Sequence, residues 1–115
     1  MENNLLEWLD EWYESNCDGD WEHYYGIKIV TLDNPGWDVT IDLESTNVDL
    51  TELKWYLIEF NSEAWVGFEI KKDVFRCSSI PNNLKLVIFI FKTLVEKGKI
   101  SDEEIFKFYK DSNKK

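Results

Sequence analysis

One histidine, His23, and two cysteines, Cys17 and Cys77, are all that these 115 residues offer among the side chains most used for metal binding and nucleophilic catalysis. Neither a CxxC pair nor a Cys/His cluster is present, which argues against a zinc site and a disulfide scaffold. In a reducing cytosol both cysteines are expected as free thiols. Long apolar runs are also missing. The longest, residues 84–91, is broken by Lys85 and closed by Lys92, well short of the roughly 18 to 20 apolar residues that span a bilayer. Residues 1–9 carry acidic side chains and no basic n-region, so no secretory signal is read there and a cytoplasmic protein is expected. There is no Gly-rich phosphate loop, GxSxG or HExxH. Without repeats, low-complexity tracts or linkers, residues 1–115 read as one domain.

Basic residues are scarce in the first half of the chain. Residues 1–63 hold 16 Asp and Glu against Lys28 and Lys54, a formal balance of −14, whereas residues 64–115 hold 7 acidic against 11 basic, a balance of +4. A field of this kind repels nucleic acid and anionic membrane and speeds encounter with a basic partner. Aromatics are plentiful, with six Trp and 16% overall, enough to build a core and to exclude a disordered chain.

Hydrophobic period organises the rest. Asn4 is placed to cap a first helix with Leu5, Trp8, Leu9, Trp12 and Asn16 on one side and Glu7, Asp10, Glu11 and Glu14 on the other; Asn16-Cys17-Asp18-Gly19 ends it. From Asp20 the period becomes two. Trp21, His23, Tyr25, Ile27 and Ile29 point inward, and Glu22, Tyr24 and Lys28 outward. Asp33-Asn34-Pro35-Gly36 reads as a type II turn, with Gly36 at the positive-φ position. Alternation resumes with Trp37, Val39, Ile41 and Leu43 inward and Asp38, Thr40, Asp42 and Glu44 outward, completing a β-hairpin. Residues 55–60, 64–70 and 74–78 give three more strands joined by short polar links, as in an antiparallel meander. Pro81 opens a helix that runs to residue 97 and closes at Gly98. Ser101-Asp102-Glu103-Glu104 is a capping box starting a last helix, followed by the basic tail 110–115. The expected fold is α+β: an antiparallel sheet of about five strands in a meander, with an N-terminal helix and two C-terminal helices packed on it.

Asp, Glu, His and Cys gather within Cys17-Asp18-Gly19-Asp20-Trp21-Glu22-His23. A metal-dependent hydrolase would draw on Asp18, Asp20, Glu22 and His23, but on an extended strand Glu22 and His23 face opposite ways, and a DxD pair without the rest of a calcium loop is weak. Trp21 and His23 are more simply read as packing beneath the first helix. Cys17 lacks a cation to lower its pKa. No catalytic residue, metal or cofactor is assigned. Tyr24, Tyr25 and Trp37 have the rings to stack bases, but acidic surroundings oppose nucleic acid. The remaining pattern is a row of outward carboxylates beside Trp and Tyr: Asp18, Asp20, Glu22, Asp33, Asp38, Asp42 and Glu44. Aromatics anchor and carboxylates steer, which suits the basic cleft of another protein such as a nuclease. An adaptor using exposed aromatics is a further reading.

At Trp12-Tyr13, Cys17-Asp18-Gly19-Asp20-Trp21-Glu22-His23, Gly26-Ile27-Lys28-Ile29, Thr31-Leu32-Asp33-Asn34-Pro35-Gly36-Trp37 and Ile41-Asp42-Leu43 the sequence resembles the immunity protein 53 family of bacterial polymorphic toxin systems. The likeness is dense over residues 8–46 and thins beyond Asn47. Residues 99–115 look like an addition to the shorter family pattern. The resemblance implies a cytoplasmic antitoxin that binds a cognate toxin domain, with no catalytic assignment. Of the motif residues, Trp21, Gly26, Pro35, Gly36 and Trp37 suit either holding the fold or contacting the partner, and folding is the preferred reading for those five.

Overall fold

The structure, a computed structural model, describes residues 4–113. The acidic residue expected at position 2 and the last two lysines of the basic tail lie outside the described residues. In chain order the elements are α1 (Leu5–Asn16), α2 (Trp21–Tyr24), β1 (Ile27–Leu32), β2 (Gly36–Asp42), β3 (Leu53–Glu59), β4 (Trp65–Lys71), β5 (Val74–Ser79), α3 (Leu84–Lys97) and α4 (Asp102–Ser112).

All five strands pair antiparallel in one open sheet of order β1-β2-β5-β4-β3. The hairpin β1–β2 and the meander β3–β4–β5 form as the alternation requires. The long link after β2 carries the chain to the far edge, so that β5, and not β3, lies beside β2. Leu43 on that link is buried, and Val48 and Leu50 pack against the core, which ties the crossing down.

Side-chain alternation sends Val39, Ile41, Phe68, Ile70, Phe75 and Cys77 to the inner face. Helix α3 lies on that face, buried almost all round because the sheet, α1 and α4 each take a side of it. Phe91 is the hub, 5.2 Å from Phe75, with Trp8 and Trp12 of α1 edge-on to it at 5.9 and 5.0 Å. Of these, the fully buried rings of Phe75 and Phe91 each contribute roughly 1.5–3 kcal/mol through apolar area removed from water. Helix α4 adds two stacked pairs, Phe108 on Phe89 at 4.3 Å and Tyr109 on Phe60 at 3.9 Å. Its capping box forms in full, Ser101 Oγ accepting from the Glu104 amide while the Glu104 carboxylate accepts from the Ser101 amide.

Four expectations change. Residues 21–24 are a turn of helix and not strand, for reasons given below. Gly36 is not a positive-φ turn residue: Asp33, Asn34 and Pro35 make the turn, and Gly36 is the first residue of β2, paired with Leu32. A β-carbon at Gly36 would collide with the Ser79 carbonyl oxygen, so the glycine there serves close approach of β2 to β5. Helix α3 begins at Leu84 and not at Pro81, because Asn82 takes a left-handed φ of 72° that no helix tolerates. Asn4 stands at the N-cap of α1, but its side chain makes no capping bond. Both cysteines are free thiols; burial pushes that of Cys77 well above its ordinary pKa.

Candidate functional site

The segment 17–23 folds into a knot tied by its own carboxylates. Asp18 Oδ1 accepts from the amides of Asp20 and Trp21 at 2.9 and 3.0 Å, while Glu22 reaches back with Oε1 to the Asp18 amide at 3.0 Å and Oε2 to the Gly19 amide at 2.8 Å. Gly19, at φ 96°, permits the reversal. These side chain–backbone bonds compete with strand pairing and win, winding residues 21–24 into helix. The Trp21 and Asp20 amides hold the Asp18 carboxyl below its ordinary value; Glu22 is lowered first by its own amide, then by those of Gly19 and Asp18, with partial desolvation opposing.

The knot places Trp21. Its side chain is 3% exposed, edge-on to Trp12 at 6.1 Å and Tyr13 at 5.9 Å, with Nε1 donating to the Glu44 carbonyl at 2.9 Å. His23, expected inward on a strand, is exposed, since two residues along a helix is a rotation of about 200°. Among the described residues, no three His, Cys, Asp or Glu side chains converge as metal ligands. Asp18 Oδ1 and both carboxylate oxygens of Glu22, on which a hydrolase would draw, are engaged by backbone amides.

The seven outward carboxylates do not form one row. Asp38 accepts from Arg76 Nε at 3.1 Å and Ser78 Oγ at 2.6 Å, and Asp42 Oδ2 accepts from the Gly26 amide at 2.9 Å. With Asp18 and Glu22, these four hold the fold locally. Asp20, Asp33 and Glu44 are exposed and make no side-chain hydrogen bond or ion pair with a described residue. Asp33 sits at the hairpin tip and Glu44 past its other end, with the length of β2, about 20 Å at the usual rise per strand residue, between them. The Glu44 backbone is tied instead to α2, its carbonyl accepting from Trp21 Nε1.

What lies beside α2 is a groove of about 760 Å³ between α1 and the α2–β1 segment. Leu6 at 73% and Tyr24 at 77% exposure stand on its walls with Tyr13, Tyr25 and Ile27, and Asp10 is at its margin. On α1, Glu7, Asp10, Glu11 and Glu14 are all exposed, and no described cation pairs with them. The sequence reading missed this groove. Its signals were Leu6, which falls off the buried stripe of α1, and the Tyr24-Tyr25 doublet. A second open surface is the outer sheet face, where Trp55 lies flat on Gly67 with Arg76 5.9 Å from its ring centroid. No described helix is long and apolar enough to cross a membrane.

The immunity protein 53 family matches residues 6–96 of this chain, so the chain belongs to that family. The match runs through the sheet into α3, well past the dense segment, and α4 lies beyond it. No curated protein and no solved structure matches the chain.

Proposed function

We propose that this immunity protein neutralises a cognate bacterial toxin in the cytoplasm by occluding it with the acidic, aromatic-lined surface of α1, α2 and the start of β1, and that the toxin is a nuclease with a basic cleft. The observation that carries this reading is α1: four exposed carboxylates without a described counter-ion, beside a groove in which Leu6, Tyr13 and Tyr24 are open. Exposed apolar and aromatic side chains of this size supply anchors that gain by leaving water. The unpaired carboxylates orient a basic partner before contact and repel a wrong one. Asp20 and Glu44 extend the acidic rim; Asp33, at the far hairpin tip, reaches the toxin only if the interface spans the whole hairpin. Asp18, Glu22, Asp38 and Asp42 contribute by holding the backbone, and their charges are secondary. In this reading the chain needs no cofactor, catalyses nothing and binds neither nucleic acid nor membrane.

The test is co-expression and pull-down with the toxin domain encoded beside this gene. Stable capture that restores growth supports the reading, and loss of capture as salt is raised supports its electrostatic part. Failure to bind or to protect would remove it.

A further inference from the structure

Strand β1 borders the sheet and has a neighbour, β2, on one side only. The Gly26 carbonyl accepts from the Asp42 amide at 3.1 Å. Antiparallel alternation from that bond turns the N–H and C=O groups of Ile27, Ile29 and Thr31 away from β2. None of those groups has a hydrogen-bond partner among the described residues.

Such an edge is ordinarily shielded by proline, a bulge, charged side chains or a covering segment. β1 has no proline, keeps an unshifted register against β2 and carries a single charge, Lys28. The opposite border strand, β3, is guarded: its register shifts between Leu53 and Tyr56. Side chains on both faces of β1 are also open, Ile29 at 39% on the inner side and Val30 at 50% on the outer. Leu6 of α1 and Ile27 line the same groove, which puts an apolar side chain of α1 beside β1.

We propose that β1 is a strand-addition edge: an extended segment of the toxin pairs with Ile27, Ile29 and Thr31 as a sixth strand. Its side chains alternate between the groove at Leu6 and the outer face at Val30, and its basic residues are directed to Asp10. Main-chain bonds supply affinity in this mode and the alternating side chains supply specificity. Charge selects the occupant. A second copy of the chain carries −10 and would bring another acidic α1 to the same border, whereas a basic segment is attracted there. The inference rests on the toxin-blocking reading and adds the mode of contact.

Ile29→Pro tests it. The substitution deletes one outward N–H, which an edge strand tolerates, and leaves the β1–β2 ladder intact; Ile29→Ala controls for the lost side chain. With the neighbouring-gene toxin domain as probe, Ile29→Pro should weaken binding tenfold or more, well beyond Ile29→Ala, with an unchanged melting temperature. In the unmodified chain, amide exchange at Ile27, Ile29 and Thr31 should be fast alone and slowed at least tenfold in the complex. This second measurement decides the matter even if Ile29→Pro misfolds. Tight binding with no such protection would overturn strand addition and leave the immunity reading standing, whereas no binding by the unmodified chain would overturn both. A homodimer dissociated by Ile29→Pro would assign the edge to a second copy and overturn the proposal.

Discussion

Helices α1 and α4 have 12 and 11 residues and the same inner-layer position, yet they treat charge in opposite ways. In α4, Glu104 closes the capping box and accepts from Lys97 Nζ at 2.7 Å, and Lys107 pairs with Asp111 at 3.6 Å. Asp102 accepts from the Tyr56 hydroxyl at 2.6 Å, so four of the six charged side chains of α4, Asp102, Glu104, Lys107 and Asp111, have partners within the fold. α1 has no basic residue. Glu7 and Glu11, and Asp10 and Glu14, are like charges at i,i+4, each pair costing about 0.2–0.5 kcal/mol, and Glu14 stands near the negative end of the helix dipole. The charges of α1 do not hold it together; the burial of Leu5, Leu9 and Trp12, with Trp12 edge-on to Phe91 and Trp21, does. Under the proposed function, a helix whose repulsive charges have no described counter-ion, and which depends on packing to survive them, receives its counter-charges from the toxin.

The comparison breaks first if that packing is removed. Trp21→Ala deletes a buried indole and its bond to Glu44, and should cost about 3–5 kcal/mol in denaturant unfolding. If α1 were self-supporting, the loss would be far smaller. Next, reversing Glu7, Asp10, Glu11 and Glu14 to Lys should weaken toxin binding about a hundredfold, mainly by slowing association, and flatten its salt dependence. The matching reversal of Lys107 and Asp111 in α4 should leave binding unchanged. Equal effects on the two helices, read by stopped-flow kinetics, would erase the distinction. The smallest effect is expected in acid. Asp18, Glu22 and Glu104 all have depressed folded-state values, the last through Lys97 first. Their contribution is therefore complete above the ordinary carboxyl values of 3.8 and 4.5 and is lost as pH falls through the lower folded ones. Thermal melts from pH 6 to pH 2 should decline only below about pH 4.5, with Glu22→Gln making the decline shallower.

Where a residue's role is set by near neighbours, it was legible. The capping box at Ser101 and Glu104, the stop at Gly98 and the inward positions of Val39 and Ile41 depend on spacing alone. Residues 21–24 were misread because Trp21 and Tyr25 satisfy a period of two and an i,i+4 helical contact equally well. The deciding signal was present in Asp18 and Glu22, an acceptor before the turn and one reaching back to it, but alternation further along outweighed it. The groove was not legible, since Leu6, Tyr13 and Tyr24 meet only when α1 and α2 fold back on each other across Gly19.

By itself the sequence determined the antiparallel hairpin, the helices that cover one face of the sheet, the excess of acid in the first half and the family to which the chain belongs. Each is written in spacing, sign or local motif. Tertiary structure alone decided which carboxylates stay available. Asp38 meets Arg76 and Ser78, and Asp42 meets Gly26, only after strands distant in sequence pair, whereas α1 is folded against Phe91 with its acidic side turned to water. A carboxylate's sign is fixed by its residue type, but whether it is held or left free depends on the donor the fold brings within hydrogen-bonding distance.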